Sequence, residues 1–387
     1  MRGIPSVHRE RMRPNSVRKM MIEAAQYPDV IELQIGEPDN ATPAFIVEAA
    51  KLALDQGFTH YTANAGLPGL RIAVAERMKR KYGLAVSPDR VIVTAGGVSA
   101  LHIALLALVD AGEEVLIPDP GYPNYEGLVY MQNAAPIYYP AHASHKFLPD
   151  IGELEKRVSA LTKAIIVNSP NNPTGAVYPE ETWKKLLEFA ERHHLYVISD
   201  EIYDELVYEG KTYCPLAVRQ DMSDRIISIN GFSKGYAMTG WRLAYMVVPE
   251  SLVGLMCKLQ EPTTTCAAAF TQKAGVAALN AGDGYIADAL AKYRSQRDSV
   301  CRMLDRYGIR YYRPQGALYV WADIADTGLT SEQFALQLLH TERVIVAPGD
   351  GFGPGGSGCI RICFAGNAER LREGLQRIGK FYTHISS

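Results

Sequence analysis

The chain has 387 residues, of which 47% are hydrophobic, and its 40 Lys and Arg nearly balance its 42 Asp and Glu. This length predicts two domains, or one large domain with a smaller one, and the net charge of −2 argues against nucleic acid or an anionic membrane surface as the main partner. Six scattered cysteines without a Cys-x-x-Cys pair argue against a disulfide framework or a metal site, so we expect a reducing, cytoplasmic setting.

The N-terminal segment, MRGIPSVHRERMRPNSVRKM, is basic but lacks the apolar stretch of a signal peptide. We interpret it as a solvated arm. The longest apolar stretch, near Leu101–Val109, is too short to cross a bilayer, so no membrane partner is expected.

Short apolar segments that are rich in β-branched residues predict the strands of a parallel sheet covered on both faces. They are Arg90–Thr94, Glu114–Ile117, Ala164–Asn168, Tyr196–Ser199, Arg225–Ile229 and Leu243–Val248. Helical patterns lie between several of them, for example at Val98–Ala111 and Pro179–His193. This alternation predicts an α/β fold, with a three-layer α/β/α large domain around a mainly parallel sheet.

The pattern changes after about Gly284, where a long charged helix is predicted over Tyr285–Tyr307. Further strands and a last helix follow it, at Arg310–Tyr312, Ala317–Ile324, Val344–Ala347, Cys359–Phe364 and Ala368–Lys380. This order predicts a smaller α+β domain. We therefore divide the chain into residues 1–40, an arm and part of the small domain, residues 41–283, the large domain, and residues 284–387, the small C-terminal domain.

Polar segments follow most of the predicted strands directly, where each strand ends. They are Ala95–Ser99, Pro118–Pro123, Ser169–Gly175, Asp200–Tyr203 and Asn230–Lys234, with Arg242 shortly after the last one. Ligands of open α/β sheets bind beyond the carboxyl ends of the strands. The sequence therefore predicts a ligand site at this edge of the sheet.

Three of these motifs resemble a known family: SPNNPTG (169–175), DEIY (200–203) and SKGYAMTGWRLAY (233–245). With LQIGEPD (33–39), YTANAGLPGLR (61–71) and CIRICFA (359–365), they are similar to fold-type I pyridoxal 5′-phosphate (PLP) aminotransferases of class I/II, of the bacterial aspartate and aromatic type. The resemblance implies an enzyme that moves an amino group between an L-amino acid and a 2-oxo acid. It also implies a homodimer with shared active sites.

The resemblance implies that several side chains contact the ring of the cofactor. Lys234 would carry PLP as a Schiff base, and Asp200 would pair with the pyridine nitrogen, although an aspartate after a strand can also simply cap a helix. Tyr203 and Asn172 would hydrogen-bond the 3′ oxygen, and Tyr122 would stack on the ring.

The phosphate group of the cofactor would lie at the start of a predicted helix. Gly97, Val98 and Ser99 begin that helix, and its free N–H groups suit an anion, although Gly-Gly is also an ordinary turn. By resemblance, Ser233 and Arg242 would complete the phosphate site, and Tyr61 would reach the phosphate of the neighbouring subunit.

Substrate binding is expected at Arg361, which lies within an apolar strand where an arginine is costly unless it is paired. By resemblance it would bind the substrate α-carboxylate, with Asn172 and the backbone of Gly36 nearby. An intramolecular ion pair is the structural alternative.

The substrate itself stays open at this point: besides an aspartate enzyme, a specialised biosynthetic aminotransferase or one acting on aromatic or neutral amino acids remains open. The segment Pro262–Gln272 departs from the pattern of close relatives, Tyr122 stands where many aspartate enzymes have tryptophan, and no second cation for a dicarboxylate can be placed. A PLP-dependent lyase or replacement enzyme, such as a carbon–sulfur β-lyase, is the alternative on the same fold. The Gly351-x-Gly353-x-x-Gly356 match to a dinucleotide motif contains Pro354 and precedes a strand, so we interpret it as a loop.

Overall fold

The computed structural model describes Met12 and residues 16–386, so most of the predicted N-terminal arm lies outside the described residues. The described α-helices are α1 (Ser16–Ala24), α2 (Ala44–Asp55), α3 (Pro68–Tyr82), α4 (Gly97–Leu108), α5 (Asn124–Met131), α6 (Ile151–Glu155), α7 (Glu180–Arg192), α8 (Pro215–Val218), α9 (Val253–Thr264), α10 (Ala269–Ala281), α11 (Asp283–Arg306), α12 (Ser331–Glu342) and α13 (Ala368–Ser386).

The described strands alternate with these helices along much of the chain. They are β1 (Ile31–Glu32), β2 (Val91–Thr94), β3 (Glu114–Asp119), β4 (Ala135–Pro140), β5 (Thr162–Asn168), β6 (Tyr196–Asp200), β7 (Ile226–Gly231), β8 (Ala244–Val247), β9 (Tyr311–Tyr312), β10 (Tyr319–Asp323), β11 (Val344–Ile345), β12 (Ala347–Pro348) and β13 (Cys359–Cys363).

A seven-stranded sheet forms the centre of the large α/β unit, in the order β2-β8-β7-β6-β5-β3-β4. Only β8 runs against its neighbours, so the sheet is mainly parallel, as predicted. Each of the six strands predicted from the apolar segments is one of its members. The edge strand β4 was not predicted, because Pro136 and its mostly half-buried residues hide the usual strand pattern.

Hydrophobic side chains alternate between the two faces of this sheet. In β2, Val91 and Val93 join one buried cluster, whereas Ile92 joins another cluster on the opposite face. The first cluster includes residues of α3, α7 and α10, and the second includes residues of α4, α5 and α9. Helices therefore cover both faces, as a parallel sheet requires, and the predicted three-layer α/β/α architecture is confirmed.

A separate hydrophobic cluster joins the two ends of the chain. It contains residues of α1 and β1 together with residues of α11, β10, α12, β13 and α13. Strand β1 pairs in parallel with β11, and β12, β13, β10 and β9 form a small antiparallel sheet. The predicted strand at 344–347 is thus two short strands that pair with different partners, and the last helix continues six residues beyond its predicted end, to Ser386.

No helix within the described ranges is both long and apolar enough to cross a membrane. The same ranges contain no group of three or more His, Cys, Asp or Glu side chains placed to hold a metal ion.

Candidate active site

A cavity of about 410 Å³ lies beyond the carboxyl ends of the parallel strands. All of the sequence-predicted site residues line it except Ser99 and Tyr61. The lining members are Gly36, Gly97, Val98, Tyr122, Asn172, Asp200, Tyr203, Ser233, Lys234, Arg242 and Arg361. The structure therefore brings together, in one place, motifs that are more than 300 residues apart in the chain.

Lys234 follows β7 and points its amine toward the segment before α2. Its Nζ donates a hydrogen bond of 2.5 Å to the backbone carbonyl of Gly36. Burial lowers the pKa of this amine to about 8, because the charged form loses hydration. An amine with this pKa is neutral far more often than a surface lysine near neutral pH, as a nucleophile requires.

Asp200 ends β6 and is 6% exposed. Its Oδ2 accepts a hydrogen bond of 2.6 Å from the hydroxyl of Tyr125, and its Oδ1 accepts one of 3.3 Å from the backbone N–H of Ile202. Burial raises the pKa of this carboxyl, and the Tyr125 hydroxyl limits the rise. No helix begins after Asp200, since turns follow it, so the helix-cap alternative is wrong.

Asn168, at the end of β5, ties this carboxylate segment to the SPNNPTG loop. Its side-chain amide donates a 2.9 Å hydrogen bond to the carbonyl of Asp200, and its Oδ1 accepts one of 2.8 Å from the backbone N–H of Asn172. Both asparagines are buried. The loop that carries Asn172 is therefore held directly against the strand that carries Asp200.

Arg361 lies on β13 and is 4% exposed. Its Nη1 donates a 2.8 Å hydrogen bond to Oδ1 of Asn172, and its Nη2 donates to the carbonyl of Gln34. Its Nε has no hydrogen-bond partner among the described residues. The guanidinium carbon lies 4.2 Å from the ring centre of Tyr319.

No carboxylate among residues 16–386 forms an ion pair with Arg361, so the intramolecular alternative finds no support there. A buried guanidinium with an unused N–H suits a carboxylate ligand, since its fork matches two carboxylate oxygens.

Helix α4 presents its first turn to the cavity, beside Arg242. Gly96, which precedes the helix, has φ +92°, and a Cβ at this position would collide with the guanidinium of Arg242. The Nη1 of Arg242 donates a 2.9 Å hydrogen bond to the carbonyl of Thr239. Free helix N–H groups and a guanidinium thus converge at one end of the cavity, as an anion site requires.

Tyr61 and Ser99 lie apart from the lining. Tyr61 is 87% exposed, and Ser99 is half-buried in the first turn of α4. Tyr122 is half-buried and lines the cavity, with its ring centre 5.5 Å from that of Tyr125 in an edge-to-face arrangement.

Sequence reasoning missed several lining residues, namely Arg18, Tyr125, Asn168 and Tyr319. Tyr125 comes three residues after Tyr122, and Asn168 ends a predicted strand, so their positions offered a signal. Arg18 lay within a segment interpreted as an arm, and nothing in the sequence near Tyr319 indicates a site.

The Gly351–Gly356 segment forms two 3₁₀ turns before β13 rather than the start of a helix. The backbone N–H of Gly355 donates to the carboxylate of Asp119 at 2.8 and 3.0 Å. The strand–turn–helix context of a dinucleotide site is therefore absent at this loop.

The fold is that of the fold-type I enzymes, and the cavity at the carboxyl edge of the sheet holds the Lys234 amine, the buried Asp200 carboxylate, and Arg242 and Arg361. Residues 28–378 match the family model described as Aminotransferase class I and II. The chain belongs to this family, and it is an enzyme that transfers amino groups.

Comparison with individual proteins agrees with this assignment. The chain is 40% identical to an aspartate aminotransferase of Pyrococcus horikoshii, over 95% of this chain and 94% of that protein. It is 37% identical to aromatic-amino-acid aminotransferase 2 of Thermococcus litoralis, over 96% of each. The solved structure of Thermus thermophilus aspartate aminotransferase with maleate superposes with a TM-score of 0.93 at 35% identity, covering 98% of this chain and 100% of that one.

Proposed function

We propose that the cavity binds PLP on Lys234 and that the enzyme moves an amino group between an L-amino acid and a 2-oxo acid. The observation that carries the proposal is that Lys234, Asp200 and Arg361 line one cavity. Lys234 supplies a nucleophilic amine, Asp200 a carboxylate to pair with a protonated ring nitrogen, and Arg361 a cation to bind a substrate carboxylate.

The described residues fit this cofactor at each of its ends. Gly96 leaves the space that Arg242 occupies beside the start of α4, where a phosphate would bind. Within the described part of the chain, the buried Asp200 carboxylate accepts hydrogen bonds only from the Tyr125 hydroxyl and the Ile202 N–H, so it can accept a further one from a ring N–H. Tyr203 and Asn172 would lie near the 3′ oxygen, and Tyr122 near the face of the ring.

When bound, PLP supplies an electron sink that stabilises negative charge developing at the substrate α-carbon. The Nζ of Lys234 would take the α-proton and later return a proton. Burial lowers the pKa of this amine, so more of it is in the neutral form that can act as a base. Its hydrogen bond to the Gly36 carbonyl holds the amine on this side of the cavity.

Asp200 and Tyr203 would set the electronic state of the ring. A protonated ring nitrogen beside Asp200 would keep the carboxyl ionised, against the effect of burial, because opposite charges stabilise each other at low dielectric. The hydroxyl of Tyr203 would donate to the 3′ oxygen and so lower its basicity.

Arg361 would orient the substrate through its α-carboxylate. The Asn172 amide oxygen and the Gln34 carbonyl hold two of its nitrogens, so the guanidinium is fixed before a ligand arrives. Such preorganisation places the α-carbon without further ordering of the side chain.

We propose a dicarboxylic amino acid as one substrate. Arg18, on α1, lines the same cavity as Arg361 and supplies the second cation that the sequence did not reveal. The aspartate aminotransferase names among the relatives support this choice. Arg18 is exposed, so its contribution to selectivity should be modest.

We further propose a homodimer with shared active sites. Tyr61 is 87% exposed, and Leu52, Leu54 and Ile72 are also exposed large hydrophobic residues, at 57%, 44% and 47%. A second copy that packs over Tyr61 would bury its ring and bring it to the partner's phosphate site.

We also propose a domain division and a cellular location. We keep the domain division at residues 1–40, 41–283 and 284–387, since the hydrophobic clusters separate broadly along it. We keep a cytoplasmic location, because all six cysteines are free.

Borohydride reduction of the PLP-loaded protein, followed by peptide mapping, tests the attachment. The expected result is a single labelled peptide that contains Lys234, and loss of the label in Lys234→Ala. A label on another lysine, or none, would reject the proposal. Mixing the loaded enzyme with one amino acid at a time, without an acceptor, then tests amino transfer through the change in absorbance.

A further inference from the structure

Tyr319, on β10, contacts two residues that serve different ends of the proposed site. Its hydroxyl oxygen lies 2.6 Å from the hydroxyl oxygen of Tyr203, and the Arg361 guanidinium lies over its ring. Tyr319 and Tyr203 are 1% and 4% exposed, so water does not compete freely for this bond. One buried side chain thus links the tyrosine proposed for the cofactor with the arginine proposed for the substrate.

Gly36 explains why the Tyr319 hydroxyl can reach this position. A Cβ on Gly36 would overlap the Tyr319 hydroxyl, so the glycine leaves the space that the hydroxyl fills. The carbonyl of the same Gly36 accepts the hydrogen bond from Lys234. Tyr319 therefore packs directly on the backbone that holds the catalytic amine.

The charges around the two tyrosines indicate the direction of their hydrogen bond. Burial raises the pKa of Tyr319 to about 12, where the neighbouring Arg361 charge limits the rise, and burial raises the pKa of Tyr203 well above its usual range. The Arg361 guanidinium carbon lies 4.2 Å from the Tyr319 ring centre, and this positive charge favours negative charge on the Tyr319 oxygen, which makes the Tyr319 hydroxyl the better donor. If Tyr319 donates, the hydroxyl hydrogen of Tyr203 is left to point into the cavity.

We propose that Tyr319 is a positioning residue that donates to Tyr203 and thereby strengthens the hydrogen bond from Tyr203 to the 3′ oxygen of the cofactor. A hydroxyl that accepts a hydrogen bond becomes a stronger donor, since hydrogen bonds in a chain polarise one another. The inference rests on the proposed function, because it needs PLP in the cavity.

The Tyr319→Phe variant removes the hydroxyl and keeps the ring beneath Arg361. Less effective donation by Tyr203 leaves more negative charge on the 3′ oxygen, which favours retention of a proton there. We expect the apparent pKa of the visible absorbance of the PLP-loaded protein to rise by about half a pH unit. The rise is smaller than for loss of a whole hydrogen bond, because the Tyr203 bond to the 3′ oxygen is weakened and not removed. We expect the KM for the amino acid to change less than kcat, because the Arg361 contact remains.

Two further variants make the test specific. In a Tyr203→Phe background, adding Tyr319→Phe should shift the absorbance pKa no further, as a residue acting through Tyr203 requires. Tyr208→Phe is the matched control: it removes a buried tyrosine hydroxyl that donates to the Ala317 carbonyl and does not line the cavity. It should leave the absorbance pKa unchanged.

The outcomes separate this inference from the proposed function. If the unmodified protein binds no PLP on Lys234, the proposed function fails. If it binds PLP and titrates, but Tyr319→Phe shifts the pKa no more than Tyr208→Phe does, the positioning role is wrong. An equal shift in the presence and absence of Tyr203 would also overturn it.

Discussion

The hydroxyl of Tyr125 donates a hydrogen bond of 2.6 Å to the Oδ2 of Asp200, and both side chains are buried at the edge of the central sheet. This bond stabilises the ionised carboxylate that burial disfavours. Tyr125 therefore supports the proposed partner of the ring nitrogen from outside the reacting atoms.

Replacing Tyr125 with Phe should weaken this support. The expected loss is about 1–2 kcal/mol, or about a tenfold fall in kcat, with the acid limb of the pH–rate profile moved to higher pH, because the Asp200 pKa rises further. Tyr139→Phe is the control, since its buried hydroxyl donates to the Ile166 carbonyl and does not line the cavity. Equal effects of the two substitutions would contradict this role for Tyr125.

The lowered pKa of Lys234 predicts how the cofactor-free protein takes up PLP. The neutral amine is the reactive form, and its population increases as the pH rises through about 8 rather than through the ordinary 10.5. Stopped-flow absorbance should therefore show an uptake rate that rises with pH, is half-maximal near pH 8 and then levels off. A rate that still climbs steeply above pH 9.5 would mean that the amine is not buried as described.

Gly96→Ala should weaken PLP binding, because a Cβ there collides with Arg242 and displaces it from the start of α4. We expect the Kd for PLP to increase about tenfold or more, measured by spectroscopic titration. Gly112→Ala is the matched control, since Gly112 has φ +87°, close to the +92° of Gly96, and open space around it. A similar increase in both variants would point to backbone strain alone.

Arg361→Ala should remove the guanidinium proposed to bind the substrate α-carboxylate. Truncation of a buried charged partner costs about 2–5 kcal/mol. The activation free energy that corresponds to kcat/KM for amino acids should rise by that amount, so kcat/KM itself should fall. PLP binding itself should persist, since Arg361 lies at the substrate end. Unchanged amino-acid affinity in a spectral titration would refute the assignment.

Arg18→Met should change selectivity rather than overall activity. We expect the ratio of kcat/KM for aspartate over phenylalanine to fall about fivefold, since an exposed cation contributes little in high dielectric. Lys19→Met is the control, because Lys19 lies on the same helix, pairs with Glu332 and does not line the cavity. An unaltered ratio in Arg18→Met would exclude a role in reading a second carboxylate.

The sequence predicted the strands and their polar ends because both signals are local. A covered parallel strand is continuously apolar, and the polar side chains that line the cavity lie at its end or a few residues beyond it, as Asp200 and Asn172 do. Strand β4 lacks this pattern, since an edge strand with Pro136 is neither fully buried nor uniformly apolar.

The missed residues depend on contacts between distant parts of the chain. Tyr319 reaches the cavity from a β-strand whose sequence is typical of a buried core strand. It pairs with Cys363, two residues from Arg361, and only this register and the hydroxyl contact with Tyr203 reveal its position. Arg18 lines the cavity because α1 packs on the C-terminal cluster. No local pattern encodes either arrangement.

Residues of α1 and β1 and residues of α13 share one hydrophobic cluster, which has a practical consequence for handling the protein. Met20, Ile31 and Leu33 share that cluster with residues of α13, and α1 also forms part of the cavity wall. Trimming the chain to begin after Leu33 would remove the part of the cavity wall that α1 forms and would also remove core contacts. Helix α13, at the other end of the cluster, contributes no residue to the cavity lining, so an affinity tag or fusion partner placed after Ser386 adjoins an element outside that wall.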